Sequence, residues 1–129
     1  MANKKKVLLF VDDDNDFLQS NKRLLELAGY EVHTANTGES GIAQAKTIRP
    51  NLMILDVMMA SHTEGFKVNQ EVRNIPELKD MPVIMLTGIN KKTDGVHRFG
   101  VENDWPCVAF LDKPVLPEEL LAKVREYTS

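Results

Sequence analysis

The chain has 129 residues, 43% of them hydrophobic and 27% charged, and carries a net charge of −3. That suits one domain around a single core and argues against the basic field that direct nucleic-acid contact requires. A lone cysteine, Cys107, rules out an internal disulfide or a cysteine metal cluster, and no stretch approaches the roughly 18 apolar residues of a membrane span. Lys4-Lys5-Lys6 reads as a solvated start without the apolar run of a signal peptide. The expectation is a cytoplasmic domain over residues 1–129 with its core in 5–128. Along the chain, Val7–Val11 (VLLFV) is apolar throughout, the mark of a strand buried on both faces. Asp14 can cap a helix with Phe17, Leu18, Asn21, Leu24, Leu25 and Ala28 at three-to-four spacing, stopped by Gly29. Glu31–Ala35 alternates like a strand, and Thr37 can start a second helix with Ile42, Ala45 and Ile48 inward, ending before Pro50.

Leu52–Leu55 (LMIL) predicts a third strand, Phe66–Ile75 a helix, Pro82–Leu86 (PVIML) a fourth strand and Val108–Leu111 (VAFL) a fifth. Gly95, Gly100 and Pro106 interrupt any helical period between 88 and 106, so a short or mobile fourth helix is expected there. Pro117 opens a last helix with Glu118 and Glu119 in its first turn and Leu120, Leu121, Val124 and Tyr127 inward. Five strands alternating with helices predict an α/β domain, a doubly wound parallel sheet with helices on both faces.

In such a sheet, ligands bind beyond the carboxyl ends of the strands. Asp12 and Asp13 follow the first strand, Asp56 the third and Thr87 the fourth, and Lys113 lies just past the fifth. Right-handed crossovers gather these ends on one rim. Three carboxylates there suit a hard divalent cation, Mg²⁺ in particular, with Mn²⁺ as a substitute. A carboxylate can also be a nucleophile toward phosphorus, and a metal, a lysine and a hydroxyl supply the charge neutralisation that phosphoryl transfer needs.

The arrangement resembles a response regulator receiver domain of two-component signal transduction, over nearly the whole chain. The matching stretches are Asp12-Asp13 after VLLFV, LDVMM around Asp56, PVIMLTG around Thr87 and FLDKPV around Lys113. The resemblance implies a flavodoxin-like sheet of strand order 2-1-3-4-5. It implies that Asp56 accepts a phosphoryl group from a sensor histidine kinase or a histidine phosphotransfer protein. Asp13, Asp56 and the backbone carbonyl of Met58 would hold Mg²⁺, with Asp12 reaching it largely through water. Lys113 would pair with the phosphoryl group, while Thr87 and Phe110 would be the switch pair, Phe110 turning inward as Thr87 moves. The domain would signal by docking to a downstream protein, or as part of a longer chain, with no separate turnover substrate, no direct nucleic-acid contact and no membrane insertion.

The sequence departs from the family pattern in places. In DVMMASHTEG, Ala60 stands where proline is usual, and Gly65 follows Asp56 by nine residues rather than eight. Lys113 follows Thr87 by 26 residues, a few more than usual. Met58 and Ile89, two residues beyond Asp56 and Thr87, are apolar where the family often has polar groups. Those side chains are expected to hinder the attacking water and lengthen the life of the acyl phosphate.

Plainer readings stand beside these. Asp14 and Asp16 read as helix-capping residues rather than metal ligands, Cys107 as core, and His33 and His97 as surface. A haloacid-dehalogenase-type phosphatase would take Asp12 as nucleophile in a D-x-D pair with Asp14, but Asp16 stands where its threonine belongs. A calcium hand would need glycine at Phe17 and glutamate at Arg23. A phosphate-independent docking module of the same fold is expected to lack Asp13, Asp56 or Lys113, and all are present.

Overall fold

The computed structural model describes residues 5–56, 64–87, 109–112 and 115–128, with backbone alone at 64–66, 87, 110 and 112. In chain order the elements are β1 (Val7–Val11), α1 (Asn15–Leu27), β2 (Glu31–Ala35), α2 (Gly38–Ile48) and β3 (Leu52–Asp56). Then come α3 (Glu64–Arg73), a 3-10 turn (Pro76–Leu78), β4 (Val83–Thr87), β5 (Ala109–Asp112) and α4 (Pro117–Thr128). The strands form one sheet in the order β2-β1-β3-β4-β5, with every pair parallel.

Unbroken apolar runs in β1, β3 and β4 bury both faces of the sheet, because successive side chains point to opposite sides. Leu8, Phe10, Leu52, Ile54, Ile84 and Leu86 pack with Leu18 and Leu25 of α1 and with Leu120 and Val124 of α4. Leu9, Val11, Met53, Leu55, Val83 and Met85 pack instead with Ala45 of α2 and with Val68 and Val72 of α3. Each fully buried side chain of this size contributes about 1.5–3 kcal/mol. Two apolar layers therefore clamp the central strands and hold their ends in a fixed register.

Local chemistry sets the boundaries. Asp14 caps α1 by accepting the Phe17 N–H at 3.1 Å, and Thr37 caps α2 by accepting the Ser40 N–H at 3.1 Å. Gly29, at φ +105°, lets the chain leave α1 in a conformation that side chains disfavour. Arg49 ends α2 in the left-handed region at φ 47°, its N–H still donating to the Ala45 carbonyl at 2.9 Å, and Pro50 keeps the helix from continuing. A reciprocal pair ties the start of β1 to the loop before β3: the Val7 N–H donates to Asn51 Oδ1 and the Asn51 N–H to the Val7 carbonyl, both at 2.8 Å. On the sheet edge, Gln44 of α2 donates to the Thr34 carbonyl at 2.7 Å. At Gly41 a Cβ would lie 2.9 Å from Val11 Cγ2, so α2 sits hard against the residue that precedes Asp12.

Some expected boundaries move. The third helix ends at Arg73 rather than Ile75, because Ile75 precedes Pro76 and is extended (φ −93°, ψ 117°). Arg73 Nη1 then donates to the Leu78 and Lys79 carbonyls at 3.4 and 2.7 Å, closing the 3-10 turn. The fourth strand begins at Val83, since Pro82 has no N–H to give the ladder, although its carbonyl still accepts the Met53 N–H at 3.0 Å. Strand β5 spans Ala109–Asp112, and β3 runs one residue further than expected, to Asp56. Asn21, read as part of the inner face of α1, donates back to the Phe17 carbonyl at 2.8 Å. The expected fourth helix between 88 and 106 lies outside the described residues. Among the described residues, no helix is long and apolar enough to cross a membrane.

The C-terminal end of α4 is fastened to the turn before β2. Thr128 Oγ1 donates to the Val124 carbonyl at 2.7 Å, which leaves its lone pairs to accept the Tyr30 hydroxyl at 3.0 Å. Tyr30→Phe is expected to lower stability in urea by about 1 kcal/mol, and combining it with Thr128→Val to cost less than the sum of the two, because both break one bond. Additive losses would show that the contact does not form in solution.

Candidate functional site

The parallel register brings the polar strand ends to one rim. Val11 and Leu55 are partners in β1 and β3, so Asp12 and Asp56, the next residues, leave the apolar layer side by side. Asp56 pairs with Leu86, and Thr87 with Asp112, which extends the row across β4 and β5. A hydrophobic run ending in a polar residue at each of these strands is enough to produce this rim, since the sheet faces are closed to charge on both sides.

Three of the residues singled out in the sequence come together as side chains. One carboxylate oxygen from each of Asp12, Asp13 and Asp56 lies within 4.8 Å of the other two. Asp12 and Asp56 are buried, at 0% and 3% exposure, while Asp13 is exposed. The backbone organises Asp12 from two directions. Its N–H donates to the Ala35 carbonyl of β2 at 3.0 Å, and its Oδ1 accepts the N–H of Asp14 at 3.0 Å. Asp14 itself turns to the Phe17 N–H as the cap of α1, so it and Asp13, adjacent in sequence, do separate work. The amino-terminal end of α1, which begins at Asn15, adds partial positive charge beside the cluster.

Two ionised carboxylates this close repel by roughly 3 kcal/mol at an effective dielectric constant of about 20. An acceptor-only donor set with one open side is the chemistry that a hard divalent cation prefers, and Mg²⁺ in particular keeps waters and takes few carboxylates. The three aspartates therefore fit such an ion. Thr87 ends β4 and Phe110 lies in β5 opposite Met85, so the backbone of the expected switch pair is on neighbouring strands. Met58 and Lys113, and the side chains of Thr87 and Phe110, lie outside what the structure describes. Sequence reasoning gave no weight to Gly41, whose lack of a side chain lets α2 press on Val11 beneath the cluster. Two glycines three apart at the start of a helix, Gly38 and Gly41, were the available signal.

Asp13→Asn is expected to raise the melting temperature by a few degrees in the absence of divalent ions, because it relieves repulsion on two buried neighbours. The same substitution should weaken Mg²⁺ binding, read from the Mg²⁺-induced rise in melting temperature, by about tenfold or more. A variant that melts lower without ions, or responds to Mg²⁺ like the wild type, would contradict the cluster's role as a cation site.

Residues 8–125 match the family of response regulator receiver domains. The DNA-binding dual master transcriptional regulator RpaA of Synechocystis is 37% identical over 92% of this chain and 47% of its own length. The response regulator MprA of Mycobacterium leprae is 33% identical over 92% of the chain and 49% of its own length. The chain thus spans about half the length of the curated relatives it matches. Among solved structures, the chemotaxis response regulator CheY4 of Vibrio cholerae superposes with a TM-score of 0.82 at 31% identity, covering 96% of this chain and 99% of that one. A CheY-like receiver domain protein of Methanospirillum hungatei gives 0.78 at 32% identity, covering 95% and 93%. With its sheet order, its acidic rim and this match over most of its length, the chain belongs to the response regulator receiver domain family.

Proposed function

We propose that this domain is a Mg²⁺-dependent phosphoryl acceptor that takes its phosphoryl group on Asp56 from a histidine kinase or a histidine phosphotransfer protein. The observation that carries this reading is the convergence of Asp12, Asp13 and Asp56 within 4.8 Å at the carboxyl rim of the sheet. Asp56 is the member at the end of a central strand, held by β1 on one side and β4 on the other, where a nucleophile is best fixed for in-line attack. Asp13 and Asp56, with the Met58 carbonyl, would hold the ion, and Asp12 would reach it through water. A bound Mg²⁺ supplies charge neutralisation for the phosphoryl oxygens.

In the transfer, a lone pair on an Asp56 carboxylate oxygen forms the new bond to phosphorus. The P–N bond to the donor imidazole breaks, and its electron pair leaves with the nitrogen, which takes up a proton. Lys113 neutralises the transferred group, and Thr87 moves to hydrogen-bond it. Phe110 turns inward into the space that this movement opens, repacking the surface that a downstream partner reads. The domain fills residues 1–129 with its core in 5–128, works in the cytoplasm and turns over no separate substrate. Its net charge of −3 disfavours direct nucleic-acid contact by these residues. Because relatives named as transcriptional regulators are about twice as long, an output domain in a longer chain is the alternative to docking on a separate protein.

Incubation with acetyl phosphate and Mg²⁺ is expected to add one phosphoryl group to the wild type by intact mass, and none to Asp56→Asn or when Mg²⁺ is chelated. An unaltered wild-type mass would leave a docking module that does not use phosphate. If Met58 and Ile89 shield the acyl phosphate from water, Met58→Asn with Ile89→Glu shortens its lifetime several-fold. An unchanged decay rate removes that role.

A further inference from the structure

The two faces of the sheet are packed with different materials. The layer under α1 and α4 is built from leucine, isoleucine, valine and phenylalanine, and Phe10 meets Phe17 edge-to-face with ring centroids 5.8 Å apart. Met53, Met81 and Met85, the buried methionines among the described residues, all lie in the other layer, under α2 and α3. Methionine is unbranched and conformationally adaptable, so that layer tolerates repacking at low cost.

On α3, beside Val68 and one turn before Val72, stands Asn69, fully buried at 0% exposure. Among the described residues, neither its Oδ1 nor its Nδ2 has a hydrogen-bond partner. A buried amide in that condition raises the free energy of the packing that contains it, and any motion that brings it to water or to a polar group recovers the loss. Among the described residues, side-chain anchoring of the helix is seen at its carboxyl end. Its carboxyl end is fixed by Arg73 on the Leu78 and Lys79 carbonyls and by the buried Leu78. Its amino end follows the phosphoacceptor strand closely along the chain, Glu64 being eight residues after Asp56.

We infer that Asn69 makes α3 a moving part of the switch: filling the Asp56 site releases the amino-terminal half of the helix from the methionine layer, pivoting about Arg73. The inference rests on the reading of Asp56 as phosphoryl acceptor and adds a responsive face opposite the α1–α4 side. Removing the amide while keeping its volume stabilises the resting packing and silences the response.

Hydrogen exchange of peptides covering 64–75 tests this, in the wild type, Asn69→Leu and Asn69→Ala, with Mg²⁺ alone and with Mg²⁺ plus acetyl phosphate. Intact mass is read on the same samples. Wild-type exchange is expected to rise several-fold on phosphorylation. Asn69→Leu should unfold at higher urea, still gain a phosphoryl group, and show no such rise. Asn69→Ala, which removes the amide without risk of overpacking, should also lose the rise. Phosphorylated wild type with unchanged α3 exchange, an unaltered response in both variants, or a lower urea midpoint for Asn69→Leu would overturn the inference. Absence of any mass gain in the wild type would instead overturn the phosphoryl-acceptor reading beneath it.

Discussion

Three carboxylates held against one another at the rim of a parallel sheet are the constraint around which the rest of this domain is arranged. Left to themselves, Asp12, Asp13 and Asp56 would separate or draw in water. The central strands hold Asp12 and Asp56 side by side, because apolar layers on both faces fix where β1 and β3 end. Asp12 has little freedom: its own N–H donates to the Ala35 carbonyl and one of its carboxylate oxygens accepts the N–H of Asp14. The close approach of α2 at Gly41 and the Val7–Asn51 pair act one step further back, keeping β1 from sliding. Repulsion confined in this way suits a small hard cation, and on the proposed reading a cation beside Asp56 would let an anionic carboxylate approach an anionic phosphoryl group.

A domain that signals must also have somewhere soft. The two layers divide that labour: one is closed by branched and aromatic side chains and tied at its far end by Tyr30, Thr128 and the Val124 carbonyl. The other contains the methionines, and α3, which packs on it through Val68 and Val72, carries the buried Asn69 amide, without a partner among the described residues. On the proposed reading, rigidity on one side and tolerance on the other would let a local change of charge at the rim become a directed shift rather than general loosening.

Much of this was legible in the sequence, for identifiable reasons. VLLFV and LMIL read as buried strands because a run apolar on both faces has few alternatives at that length, and Asp14 and Thr37 read as caps because their side chains can serve the open N–H groups. The acidic rim follows from the parallel arrangement of the strands, which puts their carboxyl ends on one side. What stayed hidden depends on distance in space rather than on pattern. Asn69 looks like an ordinary helix-flank residue until its burial is known, and Thr128 gives no sign of meeting Tyr30. The end of α3 was misplaced by two residues because Val72 and Ile75 keep the helical period, while Pro76 acts backwards on Ile75 and Arg73 closes the chain into a 3-10 turn.

The central claim is that cation binding by the aspartate cluster and acceptance of phosphorus by Asp56 are one event seen at two stages. The rate of phosphorylation by acetyl phosphate, followed against free Mg²⁺ concentration, tests it most directly. The rate should saturate, with a half-maximal concentration equal to the dissociation constant measured for Mg²⁺ without donor. A rate independent of Mg²⁺, or a half-maximum unrelated to that constant, would contradict it.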